Sequence, residues 1–416
     1  MDKWKLPEEW EWKALPEICE LNPKRPRIQR DENAPTSFVP MQAVNDIEGK
    51  ITGMETRRYE EVKRGYTYFE ENNVLLAKIT PSMENGKAAI AQDLIDGIGF
   101  GTTEFHVFRP KEGILPAWIF YYLRRLSFRM EAKSHFRGAV GQQRVPEDFL
   151  KAYEIPVPFP NNPARSLEIQ RRIVLRLETL LGEVKSAREL QESVNSDINI
   201  VFNAFSKQVF EEVEKKYEKR TLLPLTTKIG SGSTPRGGKS VYLSSGTPLV
   251  RSLNVRWNEF KYKDLAYIDE ETHQRMISTE VKLGDVFLNI TGASIGRSCC
   301  APEQICPANV NQHVMIIRPI QEDLRSRFLM YWLTSPTTQD FILNAQAGAT
   351  RQALTKVQVQ DLNIPLPPPE TQDYFVNYLD QVFSNIEEMR KASVEQDESL
   401  EVLTQSLLTQ AFCGEL

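Results

Sequence analysis

Two stretches of the chain place apolar residues at alternating spacings of four and three. The first runs through Ile173, Leu177, Leu180, Val184, Ala187, Gln191, Val194, Ile198, Val201, Phe205 and Gln208. The second runs through Phe375, Leu379, Val382, Ile386, Met389, Ser393, Gln396, Leu400, Leu403, Leu407 and Gln410, each 202 residues after its counterpart. That is the heptad seam of a helix that buries its stripe against another helix. Both stretches are nearly free of glycine and proline, and they predict helices of roughly 40–45 residues, on the order of 60 Å long. The polar interruption falls at one matched position, Gln191 and Ser393, and a polar seam residue costs stability while fixing register. The simplest burial packs the two helices antiparallel, which would set what they connect at opposite ends of a rod with approximate two-fold symmetry.

Ahead of each helix the pattern changes to short strand-like runs, "NVLLAKIT", "FHVFRP", "DVFLNIT" and "HVMIIRP", broken by Gly, Pro and Asn. Each set is followed by one predicted amphipathic helix, "PAWIFYYLRRLSFRMEAK" or "RSRFLMYWLTSPTTQDFIL". The blocks themselves repeat in order. "EFHVFRP" aligns with "HVMIIRP", "GAVGQQRV" with "GATRQALT" and "EIPVPFP" with "NIPLPPP", always 209 or 210 residues apart. A fixed offset of this kind marks an internal repeat. The fold expected is α+β, two similar globular domains at 1–160 and 220–368, with the long helices at 161–219 and 369–416.

Candidate chemistry narrows the reading mostly by exclusion. "GSGSTPRGGKS" at 230–240 invites a phosphate loop, but six residues before Lys239 stands Ser233, Pro235 removes an N–H, and strand-like sequence follows where a helix is needed. Cys299, Cys300, Cys306 and His313 do not have the spacing of a common zinc site, so buried thiols are expected. No [ND]-P-P-[YF] loop, H-E-x-x-H array or G-x-S-x-G elbow occurs, and "GIGFG" at 97–101 reads as a turn. A chain without catalysis or metal of its own is expected.

The net charge of −5 hides a strong asymmetry. Residues 370–416 hold 2 cations against 10 carboxylates, so the remainder is slightly basic. Lys228, Arg236, Lys239, Arg251, Arg256, Lys261 and Lys263 cluster around a single Glu259, and Arg124, Arg125, Arg129, Lys133, Arg137 and Arg144 around a single Glu131. Local fields of this sign attract a polyanion even to an acidic protein. Five cysteines, no apolar run of spanning length and no leader-like start fit a cytoplasmic chain.

The order domain, "IPVPFP", helix, domain, "IPLPPP", helix resembles the specificity (S) subunit of type I DNA restriction-modification systems. The likeness is carried by "LPEEWEWKALPEIC", "SGSTPRGG", "NITGASIGR", "NVNQHVMIIRP", "PPPETQ" and "SLLTQAFCGEL", and covers nearly the whole chain. It implies two target-recognition domains that read the halves of a bipartite double-stranded DNA sequence. It also implies helices that set the spacer and dock two methyltransferase (modification) subunits, with restriction subunits joining a larger complex. S-adenosylmethionine, ATP and Mg would then reside on those partners. The first half departs from the second in its opening, "CELNPKRPRIQ" against "KIGSGSTPRGG". A non-catalytic protein-binding scaffold with duplicated domains is the alternative.

Base reading favours Arg for guanine and Asn or Gln for adenine, with cations on phosphates. The DNA-contact candidates are Lys78, Lys87, Arg137, Gln142, Gln143 and Arg144 in the first domain. In the second they are Arg236, Lys239, Arg251, Arg256, Arg297, Arg351 and Gln352. The seam candidates of the helix pair are Ile173, Leu177, Leu180, Val184, Val382, Ile386, Met389, Leu400 and Leu403. Trp4, Trp10 and Trp12 read as packing. The acidic outer face of the second helix suits a basic protein surface better than DNA.

Overall fold

The computed structural model describes residues 4–416 except 140, 236 and 345–352, with the backbone alone at 199, 239 and 240. The chain divides into two compact units, Met1–Leu190 with Glu395–Leu416, and Gln191–Val394. Each consists of one α+β head and the helix segments that pack on it.

In the first head the strands are β1 (Trp10–Ala14), β2 (Cys19–Leu21), β3 (Pro35–Val39), β4 (Glu55–Arg58), β5 (Thr67–Glu70), β6 (Val74–Ala77), β7 (Ala88–Ile90), β8 (Ile98–Gly101), β9 (Phe105–Pro110) and β10 (Glu154–Pro158). Two four-stranded sheets result, ordered β2-β9-β6-β7 and β4-β3-β8-β5, with β3 and β8 parallel. The second head has β11 (Lys219–Thr221), β12 (Thr226–Ser231), β13 (Thr247–Val250), β14 (Ala266–Ile268), β15 (Glu280–Val281), β16 (Val286–Asn289), β17 (Ser298–Cys300), β18 (Ala308–Val310), β19 (Val314–Pro319) and β20 (Asn363–Pro365). Its sheets are β12-β19-β16-β17 and β14-β13-β18-β15, with β13 and β18 parallel. Strand for strand this is the same topology, so the internal repeat is one of fold.

The proline motifs form β10 and β20, each paired, among the described residues, only with the strand that opens its head, β1 or β11. Proline is tolerated there because a two-stranded ribbon leaves edges without ladder partners. Trp118 donates its indole N–H to the Pro156 carbonyl at 2.8 Å, which ties the motif to the core. The tryptophan cluster also packs: Trp4 lies edge-on to Trp12 with ring centroids 4.8 Å apart, and Trp10 to Trp118 at 5.8 Å.

The structure differs from the sequence reading in three local respects. "GIGFG" is not a turn, because Ile98–Gly101 is the inner strand β8. A Cβ at Gly99 would meet the Phe69 ring at 2.4 Å and one at Gly101 the Val39 carbonyl at 2.8 Å, so the glycines answer close packing. Each amphipathic helix is in fact two, Pro116–Arg124 with Leu126–Ser134, and Ser326–Thr334 with Pro336–Asn344. Pro336 disfavours a helical residue before it. In the first head the freed Leu126 N–H is taken by Gln405 Oε1 at 2.7 Å.

The third difference lies in the long helices, Pro163–Lys216 and Pro369–Cys413, of 54 and 45 residues. In the second unit they run antiparallel, since Gln191 meets Ser393, Phe202 meets Phe383 and Phe205 meets Tyr378. The two polar seam residues satisfy each other, Gln191 Nε2 donating to Ser393 Oγ at 3.1 Å. In the first unit Arg188 pairs with Glu401 at 2.9 Å. Of the seam candidates, Ile173, Leu177, Val184 and Ile386 are buried and Leu180, Val382 and Leu400 partly so. Met389 and Leu403 are 52 % and 45 % exposed. In one heptad column Leu177, Val184, Gln191, Ile198, Leu379, Ile386, Ser393 and Leu407 are buried, while Phe205 and Leu400 are half-buried. In the other, Ile173 and Phe375 are buried among head residues, Leu180 and Val382 are half-buried, and Val194, Val201, Met389 and Leu403 are exposed. Among the described residues no helix is long and apolar enough to cross a membrane.

Candidate nucleic-acid interface

Each head carries two loops that the backbone joins in the same way. In the first head the loop after β6 is stitched to the 137–145 hairpin: Val145 N–H donates to the Lys78 carbonyl and Thr80 N–H to the Gln143 carbonyl, both at 2.9 Å. The Lys78 N–H in turn donates to the Glu104 carbonyl at 2.9 Å. In the second head the loop after β16 repeats this, with Leu354 N–H on the Ile290 carbonyl at 2.9 Å and Ile290 N–H on the His313 carbonyl at 3.1 Å. An isolated bridge between Ile79 and Arg144 has its counterpart between Thr291 and Ala353. Loops 60 or more residues apart in sequence thus become one surface twice.

On the first surface Gln142 is exposed, Gln143 half-buried, and Lys78 lines a cleft of about 430 Å³ with Arg25, Lys63 and Tyr66. Arg144 grips Glu104 through two bonds of 2.9 and 2.8 Å, which holds that carboxyl below the usual carboxylate range. Arg137 pairs with Asp148 at 2.7 Å. An exposed ion pair is worth only about 0–1 kcal/mol, so Arg137 can exchange its carboxylate for a phosphate at small cost, whereas the two-bond grip on half-buried Glu104 holds Arg144 more firmly. Lys87 is half-buried, its ammonium 3.4 Å from the Met41 carbonyl.

On the second surface Arg256 and Arg297 line a cleft of about 450 Å³ together with Ser252, Thr291, Ser294 and His313. Asn289, by contrast, is buried and spends its amide on the Ser252 carbonyl at 2.9 Å, a structural task. Arg251 lies apart, its guanidinium bonded to the Asp264 carbonyl. Gly232 sets the glycine loop against β18, where any Cβ would overlap the Val310 carbonyl at 1.7 Å. Arg236, Arg351, Gln352 and the side chain of Lys239 lie outside the described residues.

The basic cluster at 122–144 does not form one solvent-facing field. Arg124 donates to the Asp46 and Ile47 carbonyls, Arg129 to the Glu84 carbonyl, and Arg125 is buried between the rings of Trp4 and Tyr122. Arg57 and Arg58 are likewise occupied, by Glu55, Glu60 and Glu61. The sequence reading missed Arg25, Tyr66, Ser252 and His313 as cleft residues. For His313 the signal was its place at the start of an aligned block; the others had none.

His106 holds the first surface in place. Its Nε2–H donates to the Val145 carbonyl at 2.9 Å and Nδ1 accepts from Asn22 at 3.1 Å, which sets a neutral ring. Burial pulls its pKa below the ordinary 6.5. The folded state therefore resists protonation. Its contribution is complete above the unfolded value of 6.5 and is lost as pH falls through and below it. His106→Met, which copies the aligned Met315, is expected to cost about 1 kcal/mol at pH 8 for the lost bond and to flatten the acid-side decline. Urea midpoints measured from pH 8 to pH 5 check this; an unchanged slope would contradict it.

Comparison with known proteins bears on the same geometry. The family model described as Type I restriction modification DNA specificity domain matches residues 7–196 and 277–396. The type I restriction enzyme EcoAI specificity subunit of Escherichia coli is 37 % identical over 178 residues, which cover 42 % of this chain and 29 % of that protein. The MjaX specificity subunit of Methanocaldococcus jannaschii is 23 % identical over 97 % of this chain and 94 % of its own. The matches to the EcoAI and EcoEI subunits span only about a third of those proteins, 29 % and 35 %. A solved chain from work on complex assembly and conformational transition of the type I R-M system superposes with a TM-score of 0.79 at 23 % identity, covering all of both chains. The HsdS subunit from Thermoanaerobacter tengcongensis gives 0.61 at 22 %, over 100 % of this chain and 99 % of that one, and both show the fold. With its doubled heads, doubled loop platforms and both halves matched, the chain belongs to the type I restriction-modification DNA specificity family.

Proposed function

We propose that this chain is the DNA-reading subunit of a type I restriction-modification complex, each head recognising one half of a bipartite double-stranded target. The observation that carries the reading is the repeated platform, in which one hydrogen-bond scheme presents two loops on each head. Two like readers suit two half-sites, and their differing side chains suit an asymmetric sequence. Gln142, Gln143 and Arg144 are the first head's reading candidates, and Arg256, Arg297, Thr291, Ser294 and His313 the second's.

The helices dock two methyltransferase subunits. Val194, Val201, Met389 and Val394 are exposed apolar residues on the second unit's helix segments, and Leu190, Val402 and Leu403 on the first's. Apolar residues amid carboxylates suit a protein partner and disfavour DNA. The chain catalyses nothing itself; S-adenosylmethionine, ATP and Mg belong to the modification and restriction subunits, in the cytoplasm.

Fluorescence anisotropy on a duplex containing the genomic methylation motif, with the cognate methyltransferase present, tests this. Affinity is expected to fall by about 0.9 log units per contacted phosphate for each tenfold rise in salt. Binding that ignores salt and sequence would favour the protein scaffold instead.

A further inference from the structure

At the far end of the loop that follows β6, the first unit holds a cavity of about 570 Å³ where both long helices meet the turns at 46–50 and 85–86. Small-molecule sites commonly measure about 300–1,000 Å³. Five cations and three carboxylates line it. Lys185 is matched by Glu48 at 2.6 Å and Arg188 by Glu401 at 2.9 Å. Among the described residues, Arg124 and Arg129 bond only backbone carbonyls, and Arg124 Nη1 and Arg129 Nε are buried without a hydrogen-bond partner. Burial, and for Arg124 the neighbouring Arg129, pull both guanidinium pKa values down, against a smaller opposing pull from Glu401 on both and from Asp46 on Arg124.

The repeat supplies an internal control for what these arginines do structurally. In the second head the position of Arg129 is Gln339, whose amide donates to the Gly296 carbonyl at 3.0 Å, as Arg129 does to the Glu84 carbonyl at 2.8 Å. The position of Arg124 is Thr334, which donates to Asn258 Oδ1 at 2.7 Å. Neutral side chains therefore suffice to hold the loops. The two positive charges of the first head exceed that need. Gly182 adds an independent sign: it is a poor helix former placed inside a long helix, and a Cβ built there meets nothing within 4 Å. Its missing side chain keeps the cavity open.

We propose that this cavity binds a small phosphorylated compound, its phosphate dianion on Arg124 and Arg129 and its body against Tyr121, Val184 and Leu408. A duplex does not fit, because the site is concave and Glu48 and Glu401 stand in its wall. Arg129 also holds the Glu84 carbonyl, so occupancy bears directly on the loop that carries Lys78 and Lys87.

The test titrates the full chain with inorganic phosphate and with adenosine 5′-monophosphate, against chloride of equal ionic strength. Calorimetric binding is expected, with a Tm rise of about 3 °C at ten times Kd. Arg129→Gln, the second head's own residue, should weaken binding about tenfold or more while leaving the fold intact. Gly182→Leu should raise Tm without ligand and abolish the ligand shift. No phosphate-specific shift in the wild type overturns the proposal, as does a shift that survives both variants. A third overturning result is a drop of about 0.9 in the DNA salt slope of Arg129→Gln without phosphate binding, since the charge would then serve the DNA backbone.

Discussion

Phe412→Ala is expected to destabilise the first head by about 3–5 kcal/mol, the cost of emptying a large aromatic site in a packed core. Phe412 is 1 % exposed, with its ring centroid 4.6 Å from Trp118 and 4.8 Å from Tyr122. Ala411, Leu407 and Leu408 are buried beside it in the same core cluster as Leu15 and Val157. The last residues of the chain are therefore structural parts of a head built from its first ones. Gly414 at φ +76 completes the join, where a Cβ would come within 2.6 Å of Pro7. Thermal or urea unfolding with a fluorescence readout on the tryptophans reports the effect. Met389→Ser, at an exposed position of the second unit, should change stability by no more than about 0.5 kcal/mol. A Phe412→Ala protein as stable as wild type would contradict the docking of the helix end.

This changes how methyltransferase docking has to be tested. Deleting residues 396–416 removes a core layer of the first head, so loss of the partner would report unfolding. Substituting Met389 and Val394, exposed in the second unit, leaves the buried column intact and isolates the docking question.

The duplication was legible in the sequence because it is written in local signals that survive divergence. Apolar runs such as "NVLLAKIT" and "DVFLNIT" became β6 and β16, and the proline motifs became β10 and β20. The polar match of Gln191 with Ser393 likewise became a hydrogen bond. What was not legible depended on partners distant in sequence. β8 looked like a turn because its glycines make room for Phe69 and Val39. Arg124 looked like a free cation because the carbonyls it serves lie 77 and 78 residues earlier. The second seam column looked buried because a heptad seam normally brings both columns to the contact, whereas here Val194, Val201, Met389 and Leu403 face solvent. The two loops of each platform were picked out by alignment, but the clefts beside them are lined by Arg25, Tyr66 and Ser252, which no motif marks.

Asp285→Ala is expected to cost the second head about 3–5 kcal/mol, because it strands a charge inside the fold. Asp285 is fully buried and takes Arg318 through bonds of 2.6 and 2.8 Å while accepting the Lys282 N–H at 2.7 Å. Its head 1 counterpart, Asn73, performs the turn task alone: its side-chain oxygen accepts the Glu70 N–H at 3.0 Å, and Arg109 looks instead to Glu70 and Glu20. The two duties can therefore be separated. Asp285→Asn keeps the turn acceptor and loses only the charge, so it should fall between wild type and Asp285→Ala. Adding Arg318→Met to Asp285→Asn should recover much of the loss, since a buried pair replaced as a pair is often near neutral. β16 begins at the next residue and delivers the loop with Thr291, Ser294 and Arg297. Asp285→Ala should therefore reduce DNA affinity toward that of one half-site while Asp285→Asn/Arg318→Met preserves it. Equal stability of all three variants in urea unfolding would mean that the guanidinium finds water when its carboxylate is removed, and that the pair is not what holds β16 to β19.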